Sequence, residues 1–253
     1  MAVCATVPTP TARDAGRRDS CISKHSRVAS RRVTALPDTL AHLVREPRGE
    51  PAGALVLLHG RGADEHDLLP FLDVLDPRHR LLGITLGGPL ALPPGGRHWY
   101  IVPRVGHPDP ATFAQSYGLL GGWLAGIEQA RGIDPGRIVV GGFSQGAVMA
   151  LSLGLGAGRP TPAGIIAMSG FVPTVEGWAA DVDRPGLPVF VTHGRRDPVI
   201  PVAFGRAVRD LLEPSPVELT YVESDAGHYV EPRVLGDLPT FVQRVVEATA
   251  PHD

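Results

Sequence analysis

Arg137-Ile-Val-Val-Gly-Gly-Phe-Ser-Gln-Gly-Ala-Val-Met149 is the stretch on which the reading of this chain turns. Its first half, Arg137–Val140, is continuously apolar after the arginine, as expected of a strand covered on both faces. Its second half opens an apolar run, Gln145–Leu155, long enough for a helix. Between them, Gly142-Phe143-Ser144-Gln145-Gly146 is a G-x-S-x-G pattern. Alone, that pattern is a common coincidence in a chain with 31 glycines. A strand before it and a helix after it give it meaning, because a sharp strand-to-helix turn lifts the serine above a sheet. The flanking glycines are expected to permit that strained turn. The plain alternative is a strand–turn–helix corner with a solvent-facing serine.

The pattern extends outward. Short β-rich runs occur at Thr39–Val44, Ala54–Leu58, Leu81–Thr85, Gly164–Met168, Pro188–Thr192 and Val217–Val222. Segments with helical spacing lie between most of them. Phe113, Tyr117, Leu120, Leu124 and Ile127 form one stripe at three- and four-residue steps. Glu65–Leu72, Ala203–Leu212 and Val234–Ala248 are further helix candidates. Strands alternating with helices make βαβ units. The fold class is therefore α/β, a single domain with a mostly parallel doubly wound sheet and helices on both faces. Between two strands, Ser169–Leu187 holds Pro173 and Pro185-Gly186 and at most one helical turn at Glu176–Ala180. It is too short for a helical cap.

In such sheets ligands sit at the carboxyl ends of the strands. A serine hydroxyl there needs a base, and the base needs an orienting acid. The strand at Pro188 runs into Thr-His-Gly-Arg-Arg-Asp-Pro, which puts Asp197 in its following loop. The next strand ends in Glu-Ser-Asp-Ala-Gly-His, which puts His228 on the same edge. The order Ser144, Asp197, His228 is that of an α/β-hydrolase triad. Asp225 and Glu223 are the rival acids, but the fold delivers the acid from the preceding strand's loop. The oxyanion of the transition state needs N–H donors: Gln145, next after the nucleophile, and Arg61 in His59-Gly60-Arg61-Gly62-Ala63-Asp64. The latter segment is equally readable as a glycine turn capped by Asp64.

His193 and His59, at the ends of buried strands, read as structural hydrogen-bonding residues. His66 sits between Glu65 and Asp67, but neighbours on a helix point in different directions and it has no i,i+4 partner. No metal site is expected there. His25 and His252 are expected to be solvated. Trp99, Tyr100, Phe143, Phe171, Trp178 and Ile200 either line a pocket or fill the core.

Taken together, Leu57–Asp64, Gly142–Ala147, His193-Gly194-x-x-Asp197-Pro198-Val199 and Gly227-His228 resemble the phospholipase/carboxylesterase family of α/β-hydrolases, which includes acyl-protein thioesterases. The resemblance spans residues 39–248. It implies a Ser-Asp-His esterase without a cofactor, with Arg61 and Gln145 as the oxyanion hole. Arg97-His98-Trp99-Tyr100 looks like the family segment that carries an aromatic residue over the pocket, which makes Trp99 a substrate-binding candidate beside Ile200. Arg61 and Glu65-His66-Asp67-Leu68-Leu69 look more like a bacterial carboxylesterase branch than a eukaryotic depalmitoylase.

Composition bounds the rest. The 253 residues carry 43% apolar and 20% charged side chains and a net charge of −2, ordinary for a globular chain and unlike a dedicated nucleic-acid binder. No apolar stretch reaches membrane-spanning length. Residues 1–33 differ from the remainder. Seven basic residues stand against two acidic ones there, and both cysteines, Cys4 and Cys21, lie among them. They read as a disordered basic tail ahead of a catalytic domain at 34–253, or as a nucleic-acid or membrane-tethering arm. Without a signal-peptide apolar core or a disulfide framework, a cytoplasmic location is the default. The expected partner is a small-molecule ester, with no nucleic acid and a homodimer as the default assembly. The leading function is a serine carboxylesterase of small to medium acyl esters, extending to thioesters or lysophospholipids. The alternatives are a hydrolase-fold binding protein without chemistry and a peptidase on the same fold.

Overall fold

The computed structural model describes residues 35–248. The readings of residues 1–33 and of His252 lie outside them. Seven strands form the central sheet: β1 (His42–Arg45), β2 (Gly53–Leu58), β3 (Leu81–Leu86), β6 (Ile138–Phe143), β7 (Gly164–Met168), β8 (Pro188–Gly194) and β9 (Glu218–Ser224). Their order is β1-β3-β2-β6-β7-β8-β9, parallel except for β1, which runs antiparallel against β3. A two-stranded ribbon, β4 (Leu90–Ala91) with β5 (Arg97–His98), stands apart from the sheet.

The register places the chemistry. Leu58 pairs with Leu86 and Gly142, Phe143 with Met168, Met168 with Thr192, and Thr192 with Val222. Carboxyl ends so aligned deliver the loops after β2, β6, β7, β8 and β9 to one edge.

Side chains alternate across each strand, so each strand feeds two cores. Val56, Leu58, Val140, Ala167 and Val191 pack under α2 (Pro110–Arg131), α3 (Gln145–Leu155) and α4 (Val202–Leu212). Leu55, Leu57, Val139, Ile166 and Phe190 pack under α1 (Leu69–Leu75) and α5 (Pro232–Ala248). Both faces of the sheet are covered, which is why its strands read as continuous apolar runs. The α2 helix begins where the Asp109 carboxylate accepts from Thr112 N–H at 2.9 Å, with Pro110 in the first turn. It ends at Gly132, whose φ of 65° closes it in the left-handed region. Its Trp123 ring is buried, and the indole N–H donates to the Pro37 carbonyl at 2.9 Å. Burial of one such ring contributes about 1.5–3 kcal/mol.

One expectation is corrected, and one element is added. The helix predicted over Glu65–Leu72 starts later, at Leu69, and residues 65–68 form turns. An earlier start would need an N–H at residue 70 to reach the His66 carbonyl, and Pro70 has none. The β4–β5 ribbon is additional, its strands being too short to show a period. At Glu176–Ala180, where at most one helical turn is expected, a plain turn runs into a bridge between Ala180 and Gly156. Among the described residues no cap domain covers the edge, and no helix is long and apolar enough to cross a membrane.

Candidate active site

Ser144 closes β6 and caps α3 with φ 54° and ψ −119°, a conformation rare for a residue with a side chain. The strain sits on the serine itself, whereas the flanking glycines serve close approach. A Cβ on Gly146 would overlap the Leu58 carbonyl, and one on Gly142 would overlap the backbone of Gly146. The motif therefore lets the turn press against β2, while Ser144 N–H is held by the Met168 carbonyl at 2.9 Å.

The next two loops bring their residues to this point. His228 Nε2 lies 3.0 Å from Ser144 Oγ, and His228 Nδ1 lies 2.7 Å from Asp197 Oδ2. The other oxygen of Asp197 accepts from the N–H groups of Val199 and Ile200, both at 2.8 Å. Its side chain has no exposed surface. A buried carboxylate is tolerable only with donors aimed at it, and here three converge. The loop is braced from below. His193 Nε2–H donates to the Ile200 carbonyl at 2.7 Å, and its ring packs where Gly205 lacks a Cβ.

The rival acids are engaged elsewhere. Asp225 pairs with Arg195 at 2.7 Å. Glu223 accepts from Arg206 at 2.8 Å, from Tyr221 OH at 2.9 Å and from Arg195 at 3.2 Å. The Arg206 guanidinium, foremost, pulls the Glu223 carboxyl down to about 2.

Gln145 begins α3, so its N–H has no intrahelical acceptor. The loop after β2 runs alongside: a Cβ on Gly60 would sit 3.4 Å from Ser144 Cβ. Arg61, an exposed residue, comes next in that loop.

The two substrate-binding candidates, Trp99 and Ile200, are both buried. Trp99 has no exposed surface, and its indole N–H donates to the His59 carbonyl at 2.8 Å. Ile200 is a core residue whose backbone serves Asp197. Of the six aromatic and apolar candidates, Phe143 stands at the site, its ring 4.9 Å from that of His228. Exposed apolar surface there comes instead from Val199 and Tyr229, which are 52% and 57% exposed. The Gln145 side chain has a role that sequence reasoning missed. Its Oε1 accepts from Trp99 N–H at 3.0 Å and its Nε2 donates to the Tyr100 carbonyl at 2.8 Å. No local pattern signals this, because the partners are 45 and 46 positions away.

Asp64, Glu65 and His66 do converge, because they lie on turns and not on a helix. Asp64 Oδ1 accepts from His66 N–H at 2.9 Å and lies 3.2 Å from His66 Nδ1, so the turn's own hydrogen bonding accounts for the cluster.

The sheet order, the serine elbow and the residues at the carboxyl edge define an α/β-hydrolase. Residues 41–246 match the phospholipase/carboxylesterase family, and the chain belongs to that family of ester hydrolases. Among curated relatives, it is 27% identical over 194 residues to an acyl-protein thioesterase 1 of Cryptococcus neoformans, covering 70% of this chain and 79% of the relative. Among solved structures, a Bacillus cereus carboxylesterase superposes with a TM-score of 0.72 at 23% identity, over 81% of this chain and 94% of the other. The esterase PE8 superposes at 0.68 with 25% identity, over 81% and 99%.

Proposed function

We propose that the chain is a serine carboxylesterase in which Ser144 is the nucleophile, His228 the general base and acid, and Asp197 the orienting acid. The observation that carries this reading is the unbroken path from Ser144 Oγ through His228 to the buried Asp197, built from loops of three different strands. His228 Nε2 takes the hydroxyl proton as Ser144 attacks the acyl carbon. Asp197 holds Nδ1–H, fixes the tautomer and stabilises the imidazolium. The N–H groups of Gln145 and Arg61 receive the developing oxyanion. His228 then returns the proton to the departing alcohol, and water releases the acid from Ser144 by the same route. No cofactor takes part in these steps.

Small and medium acyl esters are the substrates this site favours. Val199 and Tyr229 supply exposed apolar surface beside the triad, and residues 169–187 contain no helix that could act as a lid. Thioesters remain within the chemistry, as the names of the curated relatives suggest. The test is covalent labelling by a fluorophosphonate, with turnover of p-nitrophenyl esters of graded chain length and of acyl-CoA. We expect labelling at Ser144 and saturation kinetics with no jump at the substrate's solubility limit. Absence of labelling would return the chain to a binding role. Interfacial activation, or a preference for long-chain triglycerides, would contradict the open site.

A further inference from the structure

Gly60 and Arg61 share one peptide unit. That unit is planar and trans, so the Gly60 carbonyl and the Arg61 N–H point in opposite directions. Whatever holds the carbonyl therefore aims the N–H. Rotation about the glycine is cheap, and a flipped peptide would turn a carbonyl oxygen toward the oxyanion instead of a donor.

The structure contains a lock on this peptide. His59 Nδ1 lies 2.6 Å from the Gly60 carbonyl oxygen, which also accepts a longer bond from Ala63 N–H at 3.3 Å. Its other nitrogen, Nε2, accepts from Gly88 N–H at 2.9 Å. That second bond decides the tautomer: a nitrogen that accepts is bare, so Nδ1 carries the proton and donates it to Gly60. The ring is buried against Trp99, with centroids 5.2 Å apart, and the Trp99 indole holds the His59 carbonyl. Trp99 is in turn gripped by the Gln145 side chain and by Ser116 Oγ–H, which donates to its carbonyl. The Gln145 side chain and the Gly60 carbonyl are thus tied into one hydrogen-bonded circuit through Trp99 and His59. Burial lowers the His59 pKa against the pull of the Gly60 carbonyl and of Asp67, Asp64 and Glu65, which keeps the ring neutral.

We propose that His59 is a positioning residue for hydrolysis, its Nδ1–H locking the Gly60–Arg61 peptide so that the Arg61 N–H faces the reacting carbonyl oxygen. This rests on the reading of Ser144 as nucleophile and Arg61 N–H as oxyanion donor.

Two substitutions separate the lock from mere loop packing. In His59→Asn the amide nitrogen stands near the place of Nδ1 and can still donate to Gly60, but the bond from Gly88 is lost. In His59→Gln the amide oxygen reaches toward Gly88, and the bond to Gly60 is lost. Loss of one oxyanion donor costs about 10²–10³-fold in kcat, so His59→Gln should fall by that factor with KM little changed. His59→Asn should stay within about tenfold of the parent, since its donor is retained. A purely structural role would lower both variants together, in step with Tm. Equal losses in two folded variants, or a worse Asn variant, would overturn the proposal. Should either variant fail to fold, ¹⁵N spectra of the wild-type imidazole decide: a protonated Nδ1 and a bare Nε2 are expected, and a protonated Nε2 overturns the lock. Ser144→Ala tests the underlying reading separately. If it keeps turnover, the nucleophile reading falls and takes this inference with it; if it is dead beside equal Asn and Gln variants, only the lock is lost.

Discussion

Ser144 and Ser169 occupy matching places in adjacent strands. Each comes directly after a strand-end residue, Phe143 beside Met168 in register, and each has φ 54°. Each is buried, and each N–H is held by the neighbouring strand: Ser144 by the Met168 carbonyl and Ser169 by that of Thr192. Strain of this kind costs about 1–3 kcal/mol and is present at both positions. The segments that the two serines open are different. Ser144 opens a fully buried helix, and His228 stands 3.0 Å from its hydroxyl. Ser169 opens the long loop to residue 187, and Gly170 behind it packs against Ala147 of α3. A strained serine at a strand end is therefore not enough; the helix N-terminus and the base make the difference.

The comparison breaks most decisively on hydroxyl removal. Ser144→Ala should lose on the order of 10⁶-fold in kcat, as loss of a serine-hydrolase nucleophile does. Ser169→Ala should keep turnover within severalfold of the parent. If esterase assays rank the two serines the other way, the elbow has been assigned to the wrong strand.

The two aspartates of the β8 and β9 loops sharpen the same lesson. Asp197 is fully enclosed and bonded to His228, whereas Asp225, three residues before that histidine, lies at the surface with Arg195. Proximity in sequence counts for less than burial with donors. Asp197→Asn should lower kcat by about 10⁴ through the wrong imidazole tautomer, with the fold intact. Asp225→Asn should be nearly normal. A crippled Asp225→Asn beside an active Asp197→Asn, both folded by circular dichroism, would reverse the assignment.

Much of this architecture is legible in the chain. Strands covered on both faces announce themselves as apolar runs, and the motif glycines announce a close approach. The loop positions of Ser144, Asp197 and His228 are set by strand order alone. The rest is illegible for physical reasons. The β4–β5 ribbon has two residues per strand, too few for a period. Trp99 comes just after that ribbon, and an aromatic residue beside a glycine- and proline-rich loop reads equally as pocket or as core. Its burial depends on partners far away in the chain, the Gln145 amide at 46 positions, the His59 carbonyl at 40 and Ser116 at 17. The convergence of Asp64, Glu65 and His66 is hidden because one proline, Pro70, converts a predicted helix into turns.

The smallest effect concerns Glu223, the acid of this edge that faces outward from the triad. Arg206 above all, then Tyr221 and Arg195, hold its folded pKa near 2, against an ordinary 4.5. A carboxyl with a depressed folded pKa stabilises the fold above its unfolded pKa, and that contribution disappears as pH falls through the folded value. Glu223→Gln should therefore be less stable than the parent from neutral pH down to about 5, and the gap should close between 4.5 and 2. Its arginine partners are about half exposed, at 47% and 50%, so solvent screens the pairs. The neutral-pH difference should be only about 1 kcal/mol in chemical denaturation. Turnover should be unaffected, since no bond joins Glu223 to His228. A stability gap that persists undiminished at pH 2.5, or a large fall in kcat, would mean that this carboxylate acts inward after all, and the contrast with Asp197 would fail.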